Sequence, residues 1–186
     1  GRTRTFTSYD FEGDRGIDGE NLDVQSLFFE GDFGEIFPRL DPYDTEALDY
    51  GFSVGRQPMS FQQGLLINED MIDALTVTRN TLYGNGNLNL RMTGVYAWNR
   101  INRNNNVPDD DASMVGLFTE SDFRRATVNL DIAYVNSQNP TLRDSVAFGV
   151  SAIQRVHGFH NTYNSSAHLL GSYAPEGETG AAGDGL

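Results

Sequence analysis

Asp49, Thr78, Asn89, Arg91, Asn129, Asp131, Ser151, Asn164 and His168 each fall on the hydrophilic parity of an alternating stretch. Their chemistry is hydrogen bonding and local charge rather than bond making. Carboxylates, a guanidinium, amides and hydroxyls at two-residue spacing can line a water-filled bore, where charged side chains set the field. Covalent and metal chemistry have weaker footing. The chain has no cysteine, which removes disulfides, thiolate nucleophiles and Cys-based zinc sites. His157 and His160 flank a short turn and could share a metal, but no carboxylate pattern surrounds them. Asp109, Asp110 and Asp111 could take a hard cation such as Ca²⁺ or Mg²⁺ bridging lipopolysaccharide. The spacing of an EF-hand loop is missing there, and a solvated acidic loop is the simpler reading. Asp49 and Asp131 would serve a glycosidase only on facing strands, and nothing in the sequence pairs them. No G-x-S-x-G elbow, phosphate loop or dinucleotide fingerprint occurs. The sequence makes no positive case for an enzyme, a cofactor or a dedicated metal site.

The elements that must position these residues are long β-strands. Ala126–Asn136 places Ala126, Val128, Leu130, Ile132 and Tyr134 on one parity and Thr127, Asn129, Asp131 and Ala133 on the other. Strict alternation predicts a strand with one apolar and one polar face. Its length suits a tilted membrane crossing, which needs about 9–11 residues, better than a soluble strand of about 5–6. Further strands are expected over Leu22–Phe29, Ala47–Gln57, Asp73–Leu82, Leu88–Arg100, Ser113–Thr119, Asp144–Arg155 and Asn161–Tyr173, with a short β-like piece at Arg4–Tyr9. The parity break at Leu27, Phe28 and Phe29 predicts a bulge or burial on both faces. Pro58 is expected to end its strand, since it cannot donate to a ladder. Residues 58–72 then form a long connection with an aliphatic heart, Leu65, Leu66 and Ile67, which should pack against something, such as the inside of a barrel wall.

Acidic residues outnumber basic ones 26 to 13, and the net charge of −13 argues against nucleic-acid partners. Every basic residue is arginine, which biased codon usage explains. No apolar run is long enough for a transmembrane helix, but barrel strands hide from such windows. The chain lacks an initiator methionine and ends in a glycine-rich stretch, so both ends are expected to be truncated and residues 1–186 to form one barrel segment.

Two regularities favour a membrane wall. From Ala47 onward, long and short connections alternate, as extracellular loops and periplasmic turns do in outer-membrane barrels. The connection 30–46 breaks the rule. The aromatics then form two belts. Tyr96, Trp98, Tyr134 and Tyr173 lie at the long-loop ends of their strands, and Tyr83, Phe123, Phe159 and Tyr163 lie beside the short turns. Amphipathic rings favour bilayer interfaces, the girdle of a transmembrane barrel.

Gly55-Arg56-Gln57 closing a strand, followed by Phe61, Gly64 and Asn68-Glu69-Asp70, resembles a motif of Gram-negative outer-membrane porins, of the alginate-export-like and phosphate-selective groups. The resemblance covers about Tyr50–Thr78. It implies an antiparallel up-and-down transmembrane β-barrel in the outer membrane that passes small hydrophilic solutes, in contact with lipid and lipopolysaccharide and able to form homo-oligomers. The basic ladder of an anion conduit is missing. A barrel that sheathes a partner protein, such as an electron-conduit cytochrome, and a secreted carbohydrate-binding β-sandwich are the alternatives.

Overall fold

The computed structural model describes residues 26–40, 42–43, 48–80, 82, 86, 88–102, 108–138, 144–157 and 162–174. The expected strand Arg4–Tyr9 lies outside them, as do Tyr83, Phe159 and His160.

Strand β1 (Leu27–Asp32) runs into a one-turn helix α1 (Phe33–Ile36), then β2 (Tyr50–Phe61), a 3₁₀ turn (Gln62–Gly64), β3 (Ile67–Arg79) and β4 (Asn89–Asn99). A two-stranded excursion, β5 (Ile101–Asn102) and β6 (Pro108–Asp109), precedes β7 (Ala112–Asp122), β8 (Ala126–Ser137), β9 (Ser145–His157) and β10 (Thr162–Tyr173). The large sheet has eight strands in the order β1, β2, β3, β4, β7, β8, β9, β10, each antiparallel to the next. It is an open meander: β1 and β10 are its edges, and no pairing between them closes a barrel among the described residues. No described helix is long and apolar enough to cross a membrane, which says nothing of strands.

The alternation predicted for β8 holds over Ala126–Ser137, and its burial is inverted relative to a soluble domain. Leu130 and Ile132 are 54% and 51% exposed, whereas Asp131 and Ala133 between them are buried. Neighbouring strands repeat this in register. Phe52, Val77, Gly94, Leu117, Ile132, Phe148 and Gly171 form one outward row across seven strands. Another runs through Arg79, Met92, Thr119, Leu130, Val150 and Leu169. Since side chains alternate across a pleat, the sheet has one predominantly apolar outer surface. No second sheet covers it among the described residues.

The buried core lies on the other face. Ala74, Val95, Ala97, Met114, Phe118 and Ala133 on the wall pack with Met59, Ile67 and Ile72 of the β2–β3 hairpin and with Ile101 and Ala112. The expected end of the strand at Pro58 is therefore corrected: β2 continues to Phe61, with a register shift between Gln57 and Met59 that takes the proline out of regular pairing. The predicted loop 58–72 is mostly strand. Beyond Asp73 the hairpin no longer pairs with β4, and it folds back over the inner face. Leu66 and Ile67 pack into the core, whereas Leu65 is exposed. The bulge expected at Leu27–Phe29 is also corrected. β1 pairs with β2 without interruption, because Phe28 and Phe29 sit on an edge strand where both faces remain open. The ambiguous parity of residues 113–119 resolves with Met114 and Phe118 inward against the hairpin.

Gly55 shows why the Gly55-Arg56-Gln57 segment needs its glycine. Its φ is +126°, and a Cβ there would collide with the Leu27 carbonyl oxygen of β1. Within the connection 30–46, Asp32 caps α1 by accepting from the backbone N–H groups of Gly34 (2.9 Å) and Glu35 (3.3 Å).

Candidate functional site

The inner face changes character along the strands. Toward the long-loop end it is the apolar core beneath the hairpin. Toward the short-turn end it is polar, and most of the sequence-predicted residues collect there. Arg91, Glu120, Asn129, Ser151 and His168 form a single row across β4, β7, β8, β9 and β10. The next row toward the core runs Thr78, Thr93, Phe118, Asp131 and Gly149. Asn89 lies opposite Asp122 nearer the short turns, Asp49 lies half-buried just ahead of β2, and Asn164 stands exposed opposite Arg155. Period-2 parity finds this face because it depends only on local pleating.

The hairpin tip reaches this strip. Gln62 is 3% exposed. Its Nε2 donates to Asp131 Oδ2 at 2.7 Å, and its Oε1 lies 3.2 Å from His168 Nδ1. Asp131 Oδ1 accepts from the Thr119 backbone N–H at 2.9 Å, so each carboxylate oxygen has a partner. Because the carboxylate must receive the amide N–H, the Gln62 oxygen faces the imidazole. His168 Nδ1 then carries the donated proton. Gly149 makes the room: a Cβ on it would lie 3.0 Å from Gln62 Cγ. Beside this contact the Phe61 and Phe118 rings stack at 3.6 Å between centroids. Gln62 and Gln63 hold positive φ values of 54° and 58°, a left-handed pair that costs roughly 1–2 kcal/mol per residue.

Among the described residues, four buried polar atoms on this face have no hydrogen-bond partner: Asn89 Oδ1, Asn129 Oδ1, Ser151 Oγ and His168 Nε2. Three belong to residues adjacent in one row. Ser151 is 1% exposed. A buried polar atom without a partner costs about 1–3 kcal/mol, so these positions favour a hydrogen-bonding guest. Between the hairpin and the wall lies a pocket of about 660 Å³, bounded by Gln57, Gln62, Arg91, Thr93, Asn129 and Asp131 among others. Arg91 pairs with Glu120 at 3.0 Å, while the Asp131 carboxylate is held by neutral donors only. The sequence leaves open that Arg91 and Asp131 pair with each other. Arg91 instead takes Glu120, which stands directly opposite it on β7. The hydroxyls of Thr78 and Thr93 lie 3.0 Å apart, and Ser53 Oγ donates to Gln57 Oε1 at 2.6 Å.

Parity alone misses Gln62 and Glu120. Gln62 sits in a turn, where alternation is silent. The available signal was the Phe61-Gln62-Gln63-Gly64 sequence after the aromatic-poor G-R-Q-P segment.

The outer belt is a structural row. Tyr96, Val115, Tyr134, Val146 and Tyr173 are in register across β4, β7, β8, β9 and β10. Trp98 sits at the β3–β4 register shift, its ring 6.0 Å from that of Tyr96. Beyond this row the outer surface turns polar. Arg56 bonds Asp73 through two nitrogens at 2.9 and 3.1 Å, and Asn99 donates to the same carboxylate. At the other end Phe123 and Tyr163 are exposed, and Arg79 lies 4.6 Å over the Tyr50 ring.

The acidic run does not act as a unit. Asp109 is buried, accepting from Ser137 Oγ at 2.6 Å and from the Asp111 N–H at 3.1 Å, while Asp110 and Asp111 are exposed. Its inward turn corrects the picture of a wholly solvated loop and leaves no acidic cluster. No group of three candidate metal ligands occurs among the described residues. His157 ends β9, apart from this strip. No family model, curated protein or solved structure matches this chain.

Proposed function

We propose that the chain forms part of the wall of an outer-membrane β-barrel porin of a Gram-negative bacterium, passing small hydrophilic solutes by diffusion. The observation that carries this reading is the inverted burial: seven strands present aligned apolar rows outward, while carboxylate, amide, hydroxyl and imidazole groups are enclosed on the opposite face. Apolar patches of this extent rarely stay bare in water, and a sheet that is apolar outside and polar inside is the pattern of a transmembrane barrel. The spacing of the belts agrees. Tyr163 and Tyr173 bound the outward face of β10, ten steps apart (173 − 163). At about 3.4 Å per step and a tilt of about 40°, that is about 26 Å of membrane normal, against an apolar band of about 25 Å.

In this reading Tyr96, Tyr134 and Tyr173 lie at the outer interface, with Arg56 and Asp73 level with lipopolysaccharide headgroups. The hairpin tip constricts the bore. An eight-stranded barrel is filled by its own side chains, so a conducting pore requires further strands beyond the β1 and β10 edges. A carbohydrate-binding sandwich would need a second sheet over Leu130, Ile132 and Val150, and none is present among the described residues. The full-length protein, reconstituted in planar bilayers, is expected to give discrete conductance steps. Bilayers that stay silent while the protein is inserted refute the channel.

A further inference from the structure

We propose that Asp131 and His168, with Ser151 and Asn129 beside them, form a binding site for a polyhydroxylated solute that carries no negative charge, and that the protein's own Gln62 carboxamide occupies it in the ligand-free state. The argument starts from what Gln62 does. One amide donates to a carboxylate and accepts from an imidazole N–H, at 2.7 and 3.2 Å. A vicinal diol has the same pair of functions: one hydroxyl donates to Asp131, and the neighbouring oxygen accepts from His168 Nδ1. The carboxamide satisfies only that pair. Ser151 Oγ, Asn129 Oδ1 and His168 Nε2 stay unpartnered around it. Additional hydroxyls, each both donor and acceptor, can satisfy all three.

Two features make Gln62 displaceable. It is held in the left-handed region together with Gln63, and its side chain lies over Gly149, where the wall offers no side chain to grip it. The 660 Å³ pocket adjoins it through Asn129 and Asp131, giving a displacing solute a way in. Charge selects against anions. Arg91 is already paired with Glu120, and Asp131 keeps its negative charge with only neutral donors bonded to it, so no free cation faces the pocket from these residues.

This inference rests on the porin reading for the inner face being solute-accessible, but it is measured without conduction. Isothermal titration calorimetry on the detergent-solubilised full chain compares glucose with gluconate. Glucose is expected to bind more tightly than the anion. Gln62→Ala removes the internal competitor and is expected to tighten glucose about tenfold, the correction for a site that is about nine-tenths self-occupied. Asp131→Asn in that background is expected to abolish binding. Should Gln62→Ala not fold, Ser151→Ala in the native sequence is expected to weaken glucose severalfold, since it removes a hydroxyl with no protein partner to lose. The proposal is overturned if Gln62→Ala binds glucose no more tightly than the native chain, if gluconate is preferred, or if Ser151→Ala leaves the affinity unchanged. Absent conductance alongside tight glucose binding would remove the pore and leave this site standing.

Discussion

Replacing Leu130 by arginine separates a lipid-facing wall from a soluble one. Leu130 lies on the outward face of β8, 54% exposed, four steps (134 − 130) from Tyr134 in the aromatic row. If the wall spans a membrane, about 3.4 Å per step and a tilt of about 40° would put it about 10 Å along the membrane normal from that row. Half of an apolar band about 25 Å tall is about 12 Å, so on that reading Leu130 falls close to the midplane. An arginine there is expected to cost about 2–4 kcal/mol, whereas Tyr134→Arg at the interface costs about 0–1 kcal/mol. In the folding equilibrium the first figure is a factor of roughly 30 to 1,000. A soluble protein gives another pattern, because a half-exposed surface side chain tolerates substitution within about 0.5 kcal/mol at either position. The assay is reversible guanidinium unfolding of the protein in phospholipid vesicles, followed by tryptophan fluorescence from Trp98. A steep loss at Leu130 with little at Tyr134 is the expected result. Equal, near-zero costs at both positions refute the lipid-facing assignment of this surface.

Two further outcomes follow from local geometry. Gly55→Val forces a β-branched side chain into a positive-φ position against the Leu27 carbonyl, and is expected to cost about 1–3 kcal/mol through strain alone. Amide hydrogen exchange is expected to show β1 losing protection first, and unchanged protection there would count against the close contact. Asp109→Ala removes one hydrogen bond from the Ser137 hydroxyl and one from the Asp111 N–H, and is expected to destabilise by about 1–3 kcal/mol in the same unfolding assay, with no change when EDTA is added.

Much of the wall was legible before any coordinates. Alternation is a property of the pleat, so Ala126–Asn136 and Leu88–Arg100 announced both their strands and their two faces, and β8 and β4 fall within a residue or two of those bounds. The aromatic belt was legible for the same reason: Tyr96, Tyr134 and Tyr173 share parity and strand end, and register then aligned them. Legibility failed where the backbone left regular pairing. Pro58 looked like a stop because a proline cannot donate, but the shift between Gln57 and Met59 lets the strand pass it. The run Leu65, Leu66, Ile67 called for a packing partner without naming one.

The sequence by itself determined the strands, their two chemistries and the polar strip that includes Asp131, Ser151 and His168, because all of these are fixed by neighbours two residues apart. Only the tertiary structure decided that the hairpin folds back across the wall, that Glu120 rather than Asp131 partners Arg91, and that Gln62 fills the gap over Gly149. Gln62 and Asp131 are 69 positions apart, and no local pattern encodes a contact made by folding one hairpin across β4 and β7 to reach β8.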